Sequence, residues 1–197
     1  MGKKKKFILF LTAAIIAAVA GLFYFRQSNQ VNNLEKLKSD YPALASYVDS
    51  VIKWENKLKE DEARVESYAT LGLAWKSLAD QVCNLKISDC EKYYADALKI
   101  YEKAVEVTKR RNTLFLMNAG NMARYLKDYA KTEDYYREAI SVAPGDTTLY
   151  LTLGELYEYD MKKTKEEIIA LYDEGAKRVM NPAPLESAKK GYLERNP

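Results

Sequence analysis

Residues 113–146 read TLFLMNAGNMARYLKDYAKTEDYYREAISVAPGD. The small pair Ala119-Gly120 at the centre of the first half has counterparts at Leu71-Gly72 and Leu153-Gly154. Gly120 and Gly154 lie 34 positions apart, and Gly72 and Gly120 lie 48 apart. Three of the eight glycines thus occupy one recurring place. Tyr68, Leu116 and Tyr150 stand four residues before these glycines, and Trp75, Ala123 and Tyr157 three after. Downstream, Tyr101 with Ala104, Tyr136 with Ala139 and Tyr172 with Gly175 repeat an aromatic-x-x-small step. No alternating strand pattern of useful length interrupts this, and Gly and Pro are sparse, so the class is all-α.

The pattern resembles the tetratricopeptide repeat, which spaces an aromatic, Leu-Gly, Tyr, Ala, Phe/Tyr, Ala and Pro within 34 residues. The copy at 113–146 carries Asn118, Gly120, Asn121, Asp128-Tyr129, Tyr135-Tyr136, Ala139 and Pro144. It departs at Leu116, Ala123 and Thr132. A further copy spans 147–181, its second helix displaced by about two residues as judged from Tyr172. The first copy spans 65–111 and includes Ala97 and Ala104. The resemblance implies helical hairpins in which Gly72, Gly120 and Gly154 admit the facing helix closely. One hairpin cannot cover its own apolar face, so stacking is expected. A helix at 41–62, with Pro42 in its first turn and Leu44, Tyr47, Val48, Val51 and Leu58 on one face, would cap the front. Residues 182–197 would form a tail or a short capping helix carrying Leu185, Ala188 and Tyr192. Thr164 with Glu167, and Ser88 with Glu91, look like capping boxes that start second helices.

Between Gly72 and Ala97 the first copy is about 13 residues longer than the repeat pattern. The Ser88 cap predicts extra turns on both helices, with 84–87 as the tip. Cys83 and Cys90 flank that tip. A disulfide between them would clamp the hairpin end; the alternative is two small half-buried thiols.

Composition narrows the function. Histidine is absent, which excludes His-based acid/base catalysis, Ser-His or Cys-His pairs and His metal sites. Two cysteines are too few for a zinc knuckle or an iron–sulfur cluster. No G-x-S-x-G, Walker-type loop or metal-spaced carboxylate set occurs, so no enzyme activity, cofactor, metal or small-molecule substrate is expected. Residues 1–26 hold Lys3, Lys4, Lys5, Lys6 and Arg26 without an acid. The rest carries 26 basic against 28 acidic residues, so the net +3 comes from the N-terminus and no basic face for nucleic acid is visible.

Phe7 to Phe25 is a run of 19 residues without a charge. As a helix it would span roughly 28 Å, close to a ~30 Å hydrocarbon core. The expectation is a basic cytoplasmic stretch at 1–6, a transmembrane helix at 7–25, a linker at 26–40 that is partly helical near Leu34 and Leu37, and a repeat domain on the extracytoplasmic side of a cell membrane. The alternative is a signal peptide cleaved after Ala20, giving a secreted chain.

What the resemblance implies for function is a groove lined by first helices that receives a protein or peptide. Carried over position by position, it comprises Ala69, Leu73 and Lys76, then Met117, Asn121 and Arg124, then Leu151, Glu155 and Glu158. Ala69, Leu73, Thr148 and Thr152 stand where the carboxylate-clamp version of the repeat wants Lys, Asn or basic groups, which argues against chaperone C-termini. The expected function is a membrane-tethered, non-enzymatic scaffold. The alternative is a self-assembling module of an envelope or pilus-like complex, a homo-oligomer.

Overall fold

The structure is a computed structural model that describes residues 30–197. The transmembrane or signal segment at 7–25 and the basic stretch at 1–6 lie outside the described residues. Among those described, no helix is long and apolar enough to cross a membrane. The chain divides into two units, Met1–Ile52 and Lys53–Pro197.

In the described part of the first unit, residues 30–40 are helical throughout (α1), where a linker with helix only near Leu34 and Leu37 was expected. Leu34 and Leu37, three apart and so on one helical face, are both buried. A turn of 3₁₀ helix at Pro42–Leu44 leads into α2, Ala45–Glu60. Pro42 suits this turn because its fixed φ is already helical. Lys38 on α1 pairs with Asp49 on α2 at 2.5 Å.

The second unit is a succession of hairpins. Its elements are α3 (Val65–Asn84), α4 (Glu91–Val107), α5 (Thr113–Tyr125), α6 (Tyr129–Val142), α7 (Thr147–Glu155) with a π-helical continuation at Leu156–Met161, α8 (Lys165–Ala176) and α9 (Ala183–Arg195). From α3 to α9 each helix packs on the next, and α7 also meets α9. The starts of four helices are written locally. Asn112, Asp128 and Asp146 accept from first-turn amides of α5, α6 and α7, and Thr164 with Glu167 completes a capping box on α8.

The three glycines are not turn residues. Each lies inside a helix beneath the tyrosine of its own repeat. A Cβ on Gly72 would meet the Tyr101 ring at 2.5 Å, one on Gly120 the Tyr136 ring at 2.5 Å, and one on Gly154 the Tyr172 ring at 2.7 Å. The missing side chain is what lets the two helices of a hairpin close on the ring. Ala97, Ala104 and Ala139 on the second helices are fully buried, whereas Pro144 is exposed after α6. Tyr68 and Tyr150 share a second device: each hydroxyl donates to a carbonyl six residues earlier, on Glu62 and Pro144 respectively. Leu116 fills the same place in the middle repeat without that bond.

One expectation changes here. Ser88 does not cap α4; Cys90 occupies the N-cap position, with no side-chain cap bond. The tip from Leu85 to Cys90 runs as turns through left-handed Lys86 and Asp89. The helix therefore starts at Glu91 itself, not beside Ser88. The C-terminal segment takes the helical one of its two expected forms: α9 has 13 residues, buries Leu185 and Tyr192, and sets Leu185 against Gly175.

Candidate functional site

The first-helix face is assembled by contacts that cross from one repeat to the next. Lys76 on α3 stands over the ring of Tyr125 on α5, 5.3 Å from its centroid. Arg124, beside Tyr125, donates through Nε to Asp160 of the π turn at 2.7 Å. Glu158 in the same turn accepts from Arg195 on α9 at 2.9 Å. These links make one strip across α3, α5, the π turn and α9.

Most charged residues expected in a groove are already engaged within this strip. Asn121 accepts the hydroxyl of Tyr136, the ring that covers Gly120, so its amide serves the hairpin. Lys76 donates to Asp80 at 2.7 Å, Arg124 pairs with Asp160, and Glu158 pairs with Arg195. Burial alone would lower the pKa of Lys76, but the Asp80 carboxylate and the Tyr125 hydroxyl together leave it raised. Met117 and Leu151 are half-buried, as is Ala69, while Glu155 is exposed.

What the strip offers outward is apolar and aromatic. Leu73 is 56% exposed, Tyr125 47% and Tyr159 52%. Tyr125 and Tyr159 were not among the sequence candidates, yet each lies five residues after its glycine and they are one 34-residue period apart. The period was the available signal; the missing information was that this place stays uncovered. Tyr94 was also missed. Its hydroxyl donates to Asp80 at 2.7 Å and its ring stacks on Tyr125, centroids 4.5 Å apart and planes at 1°. Tyr94 and Asp80 stand near the insertion of the first repeat, where the repeat pattern says nothing. Cys83 and Cys90 are joined by a disulfide at that insertion's tip, with Cα atoms 5.2 Å apart.

The chemistry of the strip is that of contact. Burial, reinforced by the bond to Asp80, pushes the Tyr94 hydroxyl up, and burial alone pushes Tyr101 up to about 12. Burial, with Glu158 and Glu155 adding to it, takes Tyr172 to about 12. These phenols stay protonated at neutral pH and supply no phenolate nucleophile. Among the described residues no cluster of His, Cys, Asp and Glu is placed to hold a metal ion.

No protein-family profile matches the chain. A stretch of 68 residues is 37% identical to the cell division cycle protein 16 homologs of Homo sapiens and Mus musculus, covering 34% of this chain and 11% of theirs. The chain therefore matches about a tenth of the length of these relatives. Among solved structures, TTC0263, a thermophilic TPR protein of Thermus thermophilus, aligns at TM-score 0.57 with 16% identity, covering 83% of this chain and 88% of that one. A structure of MamA protein aligns at TM-score 0.51 with 13% identity, covering 83% and 86%. The described residues have a tetratricopeptide-repeat fold: a helical solenoid of stacked hairpins.

Proposed function

We propose that the chain is a non-enzymatic scaffold, tethered to a membrane by residues 7–25, whose repeat unit binds a protein or peptide on the extracytoplasmic side. The fold supports the interaction role, since stacked hairpins present an extended surface and few enclosed sites. The observation that carries it is the exposure of Leu73, Tyr125 and Tyr159 on one strip. Aromatic residues left open on a rigid frame are suited to anchor a partner's apolar side chain. Glu155 adds an exposed negative charge beside them. The disulfide suits an oxidising compartment, and the four lysines before Phe7 favour a cytoplasmic N-terminus. Self-assembly by stacking of solenoid ends is the weaker reading, because α9 turns Glu186, Lys190 and Glu194 to solvent, not an apolar face.

The test uses the full-length protein in membranes, with a photo-crosslinking residue at Tyr125, at Tyr159, or at exposed Lys103 on α4. The expected result is one discrete adduct with a different protein from the first two positions and none from Lys103. Adducts from Lys103 alone would place the contact on the second helices. An adduct at twice the chain's own mass would establish self-assembly instead. Digestion of the repeat unit by an impermeant protease added outside the cell supports the proposed side; full protection would refute it.

A further inference from the structure

The insertion of the first repeat reaches the exposed strip through one side chain. Asp80 lies three residues before Cys83 on α3, and Tyr94 lies four after Cys90 on α4. At helical spacing each pair shares a flank, so the disulfide and the Tyr94–Asp80 bond are successive rungs between the same two helices. The outer rung is covalent and the inner one is a hydrogen bond of 2.7 Å. Tyr94 is buried, and its ring is the platform on which half-exposed Tyr125 lies flat. Near this junction α4 has no side-chain cap, and α3 ends in exposed Leu85 and Lys86. A helix start without a cap frays readily. The disulfide and the stacking of buried Tyr93 on Trp75 together restrain the first turn of α4.

We propose that Tyr94 is a positioning residue for Tyr125, and that the Cys83–Cys90 disulfide keeps it in place, so that the redox state of the insertion tip sets the order of the exposed strip in the next repeat. This rests on the reading of the strip as a binding face, but the device itself needs no partner. Reduction by a small dithiol proceeds by thiolate attack on one sulfur. The S–S bond breaks, a mixed disulfide forms, and the dithiol's second thiol displaces the remaining protein sulfur. The protein gains two electrons and two protons as two thiols, and the reductant leaves as its cyclic disulfide. The first turn of α4 then loosens, Tyr94 leaves Asp80, and Tyr125 loses its platform. A reduced chain keeps its hairpins, because the Gly72–Tyr101 contact lies deeper along the same helices.

The experiment places fluorotyrosine at position 125 or, in a second sample, at 159 of the full-length protein in detergent, and follows each by ¹⁹F NMR. On adding dithiothreitol, the 125 signal should move most of the way to its urea-unfolded position while the 159 signal stays. Cys83→Ser with Cys90→Ser should give the moved signal without reductant. Tyr94→Leu should give it with the disulfide intact, whereas Tyr94→Phe, which keeps the stack, should retain most of the packed signal until reductant is added. A 125 signal unchanged when alkylation shows both thiols free would overturn the proposal. So would equal movement at 125 and 159, which would mean general loosening, or a packed signal in Tyr94→Leu.

Discussion

Between the glycine and its tyrosine, the first and third repeats both carry more residues than the middle one, and they place them differently. Relative to α5, its three-residue connection and α6, the first repeat has seven more residues in α3, three more in the connection and three more in α4. All lie beyond the glycine–tyrosine contact, where the hairpin is free to lengthen. The third repeat has only two extra residues in this interval, and they fall inside the first helix, which widens into the π turn at Leu156–Met161. The bond that closes the first helix shows the same thing. Ile87 and Asp128 donate to carbonyls five residues back, on Val82 and Ala123, whereas Lys163 reaches six back to Tyr157. A helix absorbs a short insertion as a π turn and a long one as whole turns. In both cases Gly72–Tyr101 and Gly154–Tyr172 meet as Gly120–Tyr136 does. The contact sets the register, and length is adjusted around it.

The hardest test of that comparison removes the ring. Tyr136→Ala should lower stability by about 3–5 kcal/mol in denaturant unfolding, and Tyr101→Ala and Tyr172→Ala should cost about the same. A Tyr101→Ala cost well below the other two would mean that the insertion has taken over the register. Next is the clamp that only the first repeat has. Cys83→Ser with Cys90→Ser should cost about 2–3 kcal/mol, the loop-closure entropy of so short a loop. Thermal unfolding of oxidised and reduced protein checks it.

Gly72→Ala and Gly154→Ala act against the same rings. Each gains about 1 kcal/mol of helix propensity and loses about 1–3 kcal/mol by overpacking. Both should come out destabilising, and shortening the facing tyrosine to Leu should recover part of the loss in a double-mutant cycle. A smaller effect of opposite sign is expected where first helices end. Lys86, Lys127 and Lys162 all take left-handed φ, at 55°, 62° and 53°. Lys127→Gly and Lys162→Gly should each stabilise by about 0.5–1 kcal/mol, since glycine enters that region without the Cβ clash.

The smallest effect is read by pH on α2, ahead of the first repeat. Burial raises the pKa of Glu55, with Asp96 on α4 adding to it against the pull of Lys59. Between the ordinary carboxylate range and this raised value the folded chain binds more protons than the unfolded one, so stability falls as pH rises through that window. Glu55→Gln should therefore be more stable than the parent at neutral pH, an advantage that disappears below pH ~4. Urea midpoints at the two pH values read this directly.

Much of this was legible along the chain. The glycines, the tyrosines and the small residues after them recur at fixed intervals, and the fold follows from that spacing. The capping box at Thr164 was equally plain, because both partners lie within one turn. The helix at 30–40 was legible only around Leu34 and Leu37, since nothing else marked its extent within a polar stretch. The candidate groove was half legible. Periodicity named Arg124 and Glu158 but could not show that Asp160 and Arg195 already hold them. It passed over Tyr125 and Tyr159, because an aromatic looks the same in sequence whether the neighbouring helix covers it or not.

By itself the sequence determined the all-helical class, the hairpin register and the uncharged run at 7–25. Those depend on residue type and on separations of a few positions or of one period. Tertiary structure alone decided which side chains remain free. Arg195 meets Glu158 from 37 positions away and Tyr125 lies on Tyr94 from 31. Such meetings depend on how far each added turn carries a side chain across its neighbour, a distance that no local spacing records.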